Sequence, residues 1–181
     1  LTTLPESIGQ FTSLTNLDLG QNWLSKLPES IGQLTTLTHL NLGDNRLTTH
    51  PDFIDRFKSF PDSFGQLTSL TELNLEQNHL LILPDSIGQL TALTELNLGD
   101  NYLLTLPDSI GKLTTLIELY LHENELESLP DSIGQLTALT DLSIYNNKFT
   151  ELPNSLKSLT SLTNLEVDIS HSEDPIVKHW K

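Results

Sequence analysis

The feature that most constrains this chain is one short pattern that returns along its whole length. The segment LTELNLGDNYL at residues 93–103 combines spaced leucines with one asparagine. Its reference leucine recurs every 23 residues, apart from one step of 33: Leu14, Leu37, Leu70, Leu93, Leu116, Leu139 and Leu162. A unit of this length cannot bury its apolar face alone and must stack on its neighbours. The sequence therefore predicts a solenoid, with residues 1–181 forming a single array.

Leucines at alternate positions within each unit predict a short β-strand whose leucines share one face. About seven strands are expected, centred on Leu17–Leu19, Leu40–Leu42, Leu73–Leu75, Leu96–Leu98, Leu119–Leu121, Leu142–Ile144 and Leu165–Val167. Stacking makes these strands a parallel sheet, so the chain must return on the far side. The fold class is thus α/β, a right-handed solenoid with a parallel concave sheet.

The return segment LPDSIGQLTAL predicts a short helical or 3-10 turn on the convex side. Its proline suits the first turn of a helix, and the Asp and Ser that follow favour the turn through the helix dipole and capping. The glycine is expected to end the turn. The residues concerned are Pro84, Pro107 and Pro130, with Gly88, Gly111 and Gly134.

One asparagine follows each of the first six strands: Asn22, Asn45, Asn78, Asn101, Asn124 and Asn147. A buried amide without partners costs about 1–3 kcal/mol, so we expect each side chain to bridge the backbones of adjacent turns. These asparagines should form a structural ladder, which Ser170 ends in the seventh unit.

These residues match the pattern L-x-x-L-x-L-x-x-N-x-L, and the chain resembles the leucine-rich repeat superfamily over essentially its whole length. The return motif, seen at Leu106, Pro107, Ile110, Gly111 and Leu113, is similar to the class found in intracellular Ras-group scaffolds, Roco-type kinases and some bacterial proteins. The resemblance implies a platform for protein–protein interaction.

Two segments depart from the period. The step of 33 places ten extra residues within the segment 50–60, which is either a damaged repeat looped out on the convex face or a loop that contacts a partner. Residues 171–181 abandon the pattern, with Asp174 and Pro175 suited to begin a helix that carries Ile176, Val177 and Trp180. This segment is either a C-terminal cap or the start of a linker.

Composition limits the partners. Nine Lys+Arg against 24 Asp+Glu give a net charge of -15, which argues against nucleic acid and anionic membranes as ligands. The acidity serves either solubility or a partner with a basic surface. There is no cysteine, and no signal peptide or apolar span is evident, so a cytoplasmic protein is expected.

Because the leucines and asparagines hold the fold, recognition must use the outward positions that vary between units. One column of strand residues carries an acidic stripe, Glu72, Glu95, Glu118 and Asp141, beside Tyr120, His122 and Tyr145. Trp23 and Tyr102 lie at the rim. Exposed aromatic residues among polar neighbours are typical of interface hot spots, although a solvated face fills with polar residues too.

Catalytic chemistry has little support. His122 and Glu123 resemble part of a zinc-protease motif, but no second histidine follows at the required spacing. Glu118, His122 and Glu125 could hold a cation only if the chain folded them together, and Glu118 and His122 lie at different levels of one strand. The serines of the PDSIG segments have no histidine partner. We predict no catalytic residue, metal or cofactor.

The sequence thus predicts a scaffold or adaptor that binds another protein on its concave acidic surface. The alternative is the regulatory or substrate-recruiting arm of a larger signalling enzyme or bacterial effector. A third possibility is a self-associating structural array.

Overall fold

The structure is a computed structural model that describes residues 1–49 and 59–168. Within them, seven parallel strands lie side by side in chain order: β1 (Asn16–Asp18), β2 (His39–Asn41), β3 (Glu72–Asn74), β4 (Glu95–Asn97), β5 (Glu118–Tyr120), β6 (Asp141–Ser143) and β7 (Asn164–Glu166). We number the coils after their strands, so that coil 4 comprises residues 93–115 and coil 5 residues 116–138. The predicted parallel sheet is confirmed.

Each strand begins and ends one residue earlier than predicted, so the second leucine of the pair lies just after the strand. That leucine still extends the sheet, since Leu98 N–H donates to the Tyr120 carbonyl of the next coil at 2.8 Å. The hydrogen-bonded surface is therefore wider than the three-residue strands.

The irregular step does not interrupt the sheet. The strands on either side of it pair without an offset, with His39 opposite Glu72 and Leu40 opposite Leu73. Ser59 is fully buried, and its hydroxyl donates to the Thr48 carbonyl at 2.5 Å. Residues 50–58 of the predicted insertion lie outside the described residues, as do Ser170 and the candidate cap at 171–181.

Short 3-10 helices form the return segments: Glu6–Gln10, Glu29–Gln33, Asp62–Gln66, Asp85–Gln89, Asp108–Lys112, Asp131–Gln135 and Asn154–Ser158. The predicted helical turns are confirmed, but the roles of two residues differ. Pro84 is the N-cap, with extended φ -69° and ψ 147°, and not a helical residue. The N-cap residue makes no side-chain capping bond in any of these seven described helices, so the predicted capping within each helix is wrong. None of the helices in residues 1–49 and 59–168 has the length and apolar character of a membrane span.

Six of the seven described helices contain a glycine, and packing explains its place there. Gly88 is followed by Gln89 within the helix, and no described glycine has a positive φ, so the predicted role as a terminator is wrong. A Cβ atom at Gly88 would lie 2.5 Å from the Ser109 carbonyl oxygen of the next helix. Adjacent helices therefore approach closely only where this residue has no side chain.

The core is one continuous stack of leucines between the sheet and the helices. Leu73, Leu96 and Leu119 are at most 1% exposed and occupy equivalent places in successive coils. Each fully buried leucine contributes roughly 1.5–3 kcal/mol. Phe64 takes the place of the helical isoleucine in coil 2 and contacts Phe60 at a centroid distance of 4.9 Å.

The buried asparagines bridge adjacent coils. Asn45 Nδ2 donates to Leu42 O at 3.1 Å in its own coil and to Leu19 O at 2.9 Å in the coil before it. Its Oδ1 accepts the Leu24 N–H at 2.9 Å. The same arrangement recurs through Asn147. The residue before each asparagine adopts a positive φ, which turns the chain off the sheet: Gln21, Asp44, Gln77, Asp100, Glu123 and Asn146.

Candidate functional site

The exposed side of the sheet, which we call the strand face, carries the acidic stripe. The parallel register places Glu72 opposite Glu95, Glu95 opposite Glu118 and Glu118 opposite Asp141. Neighbouring strands are about 4.8 Å apart, so the four carboxylates span about 14 Å. Four acidic side chains thus lie in one line across the sheet.

Three of the four carboxylates have protein partners. Glu72 lies 3.1 Å from His39 Nε2. Glu118 accepts the Tyr120 hydroxyl hydrogen at 2.5 Å, and Asp141 accepts that of Thr140 at 2.6 Å. Partners within the protein therefore stabilise the negative charge of these three carboxylates.

Glu95 is the exception. Its carboxylate makes no hydrogen bond or ion pair within the described part of the chain, and its side chain lies between Glu72 and Glu118. Partial burial raises the pKa of Glu95, and repulsion from Glu118 and Glu72 raises it further, while His39 opposes this effect. A shallow groove of about 300 Å³ lies beside it and is lined in part by Asn41 and Asn74. The stripe is therefore most strained electrostatically at its centre.

The predicted aromatic residues of coils 5 and 6 form a cluster. His122 stacks on Tyr145 at a centroid distance of 5.1 Å and an angle of 12°. Tyr120 meets the His122 ring edge-on at 6.4 Å. The His122 ring overlies Gly99, where a Cβ atom would lie 2.4 Å from Nε2. The three rings are thus held in place by each other and by an adjacent glycine.

The cluster contains polar atoms that the fold leaves unsatisfied. His122 Nδ1 and Ser143 Oγ are buried without a hydrogen-bond partner. The bond to Glu118, followed by burial, raises the pKa of Tyr120 well above its ordinary range. Burial, followed by the charge of Glu123, raises the pKa of Tyr145. Both phenols therefore remain hydrogen-bond donors at neutral pH.

The two rim residues contact side chains of adjacent coils and still remain mostly exposed. The Arg46 guanidinium lies 4.4 Å from the centroid of the Trp23 ring, and His79 stacks on Tyr102 at 5.8 Å. Trp23 is 61% exposed and Tyr102 52%. The structure places these residues on the edge of the solenoid, apart from the cluster of coils 5 and 6.

Sequence reasoning missed three residues of this surface. His39 pairs with the stripe, and Glu76 approaches His122 Nε2 at 3.9 Å and accepts a hydrogen bond from Asn97 at 3.2 Å. Ile117, 40% exposed, precedes β5 at a position where the other units have threonine. The signal for Glu76 and Ile117 was available, because each departs from the residue that its own column repeats.

The geometry offers little for metal chemistry. In residues 1–49 and 59–168, no group of three or more His, Cys, Asp or Glu side chains is arranged to hold a metal ion. Glu118 is hydrogen-bonded to Tyr120, and Glu125 forms an ion pair with Lys148, so neither is directed at His122. What the strand face provides is an open surface of carboxylates, amides and aromatic rings.

The sequence matches three leucine-rich repeat family models. One described as a leucine-rich repeat region covers residues 85–179, a second covers residues 57–103, and a third covers residues 13–34 and 36–67. A search of curated protein sequences found no match.

Solved structures show the same architecture. A leucine-rich repeat protein of Leptospira interrogans is 39% identical, with a TM-score of 0.84 over 93% of this chain and 40% of its own. The crystal structure of PEPR1-AtPEP1 gives 32% identity and a TM-score of 0.72, with 92% and 26% covered. An internalin from Listeria monocytogenes gives 23% identity and a TM-score of 0.66, with 90% and 50% covered, and shows the fold alone.

This chain therefore spans half or less of each of these proteins. The first family model covers more than half of the chain, and the sheet, helices and core have the arrangement that its pattern requires. The chain belongs to the leucine-rich repeat superfamily.

Proposed function

We propose that this chain is a scaffold or adaptor module that binds another protein on its strand face, with a basic surface of the partner against the acidic stripe. Leucine-rich repeat proteins act in general as protein-interaction modules, and their fold is typically non-enzymatic. The proposed contact centres on Glu95 and Glu118 and extends to Tyr120, His122 and Tyr145.

The observation that carries this proposal is the uncompensated charge of Glu95. Its neighbours have local partners, whereas Glu95 is partly buried among like charges. A lysine or arginine of a partner that approaches this point relieves the repulsion and gains an opposite charge. The same cation is within reach of Glu118, because the two residues are register partners.

The aromatic cluster supplies the apolar part of the proposed contact. Tyrosine is enriched among the residues that dominate binding energy, and rigid side chains lose little entropy when a partner docks. Tyr120, His122 and Tyr145 are fixed by mutual contacts before binding. They form a preorganised patch beside the carboxylates.

The test begins with affinity capture from native lysate and purification of the captured protein. Its Kd is then measured for the wild type and for a Glu95→Lys/Glu118→Lys variant. We expect at least about tenfold weaker binding, which corresponds to about 1.4 kcal/mol, and a steeper loss with added salt for the wild type. A Tyr120, His122 and Tyr145 triple alanine variant should lose the partner as well.

The matched control is Glu127→Lys/Glu151→Lys. These residues are exposed and lie outside the strand face, and the change in net charge is the same. The control should bind as the wild type does, and circular dichroism should show all variants folded. Equal losses for both double variants, or no loss for either, would contradict a contact at the stripe.

A further inference from the structure

Coil 5 differs from the other coils in the residue that directly precedes its strand. A threonine occupies the place just before the strand in six of the seven coils: Thr15, Thr38, Thr71, Thr94, Thr140 and Thr163. In every one of these coils after the first, its hydroxyl donates to a carbonyl of the preceding coil, as Thr71 Oγ1 does to Thr38 O at 3.0 Å and Thr94 Oγ1 to Thr71 O at 3.1 Å. Coil 5 has Ile117 instead.

The fold does not account for this isoleucine. Ile117 forgoes the hydroxyl bond that threonine makes, and its side chain remains 40% exposed, so it gains little burial in exchange. Its backbone keeps the ordinary sheet bonds, with the N–H donating to Thr94 O at 2.8 Å. Ile117 thus exposes an apolar side chain at the edge of the strand face, and neither burial nor a hydrogen bond of that side chain stabilises the fold in exchange.

Two further departures lie in the same coil. Tyr120 stands in the column where three earlier coils have Asn41, Asn74 and Asn97, and His122 in the column of Gly20, Gly43 and Gly99. The histidine also leaves a buried nitrogen unsatisfied, which opposes folding. Three outward positions of coil 5, Ile117, Tyr120 and His122, therefore deviate from the residues that most earlier coils have in the same columns.

We infer that Ile117 is the apolar anchor of the strand face and that its ligand is a protein segment in which an apolar side chain is flanked by lysine or arginine. This inference rests on the proposed function. Charge complementarity selects the occupant, since Ile117 directly precedes Glu118, whose register partners are Glu95 and Asp141. An extended segment of about four residues spans the 14 Å of the stripe.

Two labelled synthetic peptides test the inference. Both are twelve-residue lysine-rich peptides, one with a central leucine and the other with serine in its place. Fluorescence anisotropy at low salt should show the leucine peptide binding the wild type at least about fivefold more tightly. Ile117→Thr should abolish this preference and leave the affinity for the serine peptide unchanged.

Ile117→Thr installs the residue that the other coils use, so the variant should fold and melt no lower than the wild type. A leucine preference that is absent, or that survives in Ile117→Thr, overturns the apolar anchor. Glu95→Lys/Glu118→Lys should weaken both peptides, and unchanged binding in that variant overturns the proposed function instead. Failure of both peptides to bind the wild type contradicts both.

Discussion

Replacing Asn101 by alanine tests how the asparagine ladder stabilises the solenoid. Asn101 is 4% exposed and makes four hydrogen bonds. Its Oδ1 accepts the Leu80 N–H at 3.1 Å, and its Nδ2 donates to the carbonyls of Leu75, Leu98 and Gly99 at 2.9, 3.2 and 3.1 Å. The substitution removes all four bonds together.

The cost is smaller than four lost bonds, because the carbonyls have other donors. Leu75 O also accepts from Asn78 Nδ2, Leu98 O from Asn124 Nδ2, and Gly99 O from Gln77 N–H. Only the Leu80 N–H is left buried without a partner, which costs about 1–3 kcal/mol. With the small cavity added, we expect the free energy of unfolding to fall by about 2–3 kcal/mol.

The assay is urea denaturation followed by circular dichroism, combined with hydrogen exchange at the Leu80 amide. Exchange reports the local loss directly, which matters because repeat arrays can unfold in more than two states. Asn97→Ala is the control, since this half-buried asparagine bonds Glu76 and the Gly99 N–H near solvent and should cost less than about 1 kcal/mol. Equal stability of the two variants, or an unchanged Leu80 exchange rate, would refute the ladder argument.

Three other substitutions test the packing and the charges. Gly88→Ala should lower the free energy of unfolding by about 1–3 kcal/mol in urea denaturation, because the added methyl group overlaps the next helix. Gly43→Ala should cost less, because the nearest contact of its Cβ atom would be a side-chain atom at 3.2 Å. Equal costs would contradict the packing role. The pKa of Glu95 in the folded state lies above its ordinary value of 4.5. As pH rises from 4.5 to the folded-state pKa, the unfolded chain therefore loses this proton first, and the free energy of unfolding falls. Glu95→Gln should therefore raise Tm at pH 7 and lose this advantage below pH 4.5; no difference at pH 7 would count against the strain at Glu95. Glu118→Gln should lower the pKa of Tyr120 toward 10.0, seen as an earlier step in an ultraviolet titration; an unmoved titration curve would exclude the Glu118 bond as the main cause.

The sequence predicted the fold in most respects, because the leucine spacing determines both the strand face and the core face. Leu73 and Leu96 are in register and buried as their alternation requires, and the position of Asn101 after the strand implies a bridge between coils. The same spacing identifies the columns of the strand face. Because the same spacing recurs in every unit, it leaves little doubt about which residues face the core and which lie on the strand face.

Contacts between coils were harder to predict. Gly88 was assigned to a turn by its usual conformational role, but its reason is the closeness of the Ser109 backbone, which depends on how helices stack. The sequence predicted an acidic stripe without distinguishing its members, whereas His39 pairs with Glu72 and Tyr120 bonds Glu118, the two neighbours of Glu95. Side-chain pairing of this kind depends on rotamers, which residue spacing does not specify.

Hydroxyl-radical footprinting of the purified complex tests the central claim, that the partner binds to the strand face. Tyr120 and Tyr145 are the probes for that face, and Phe11, 59% exposed directly after the first 3-10 helix, is the reference. The account predicts that partner binding protects both tyrosines from oxidation while Phe11 reacts at its original rate. Unchanged oxidation of the tyrosines together with protection of Phe11 would contradict it.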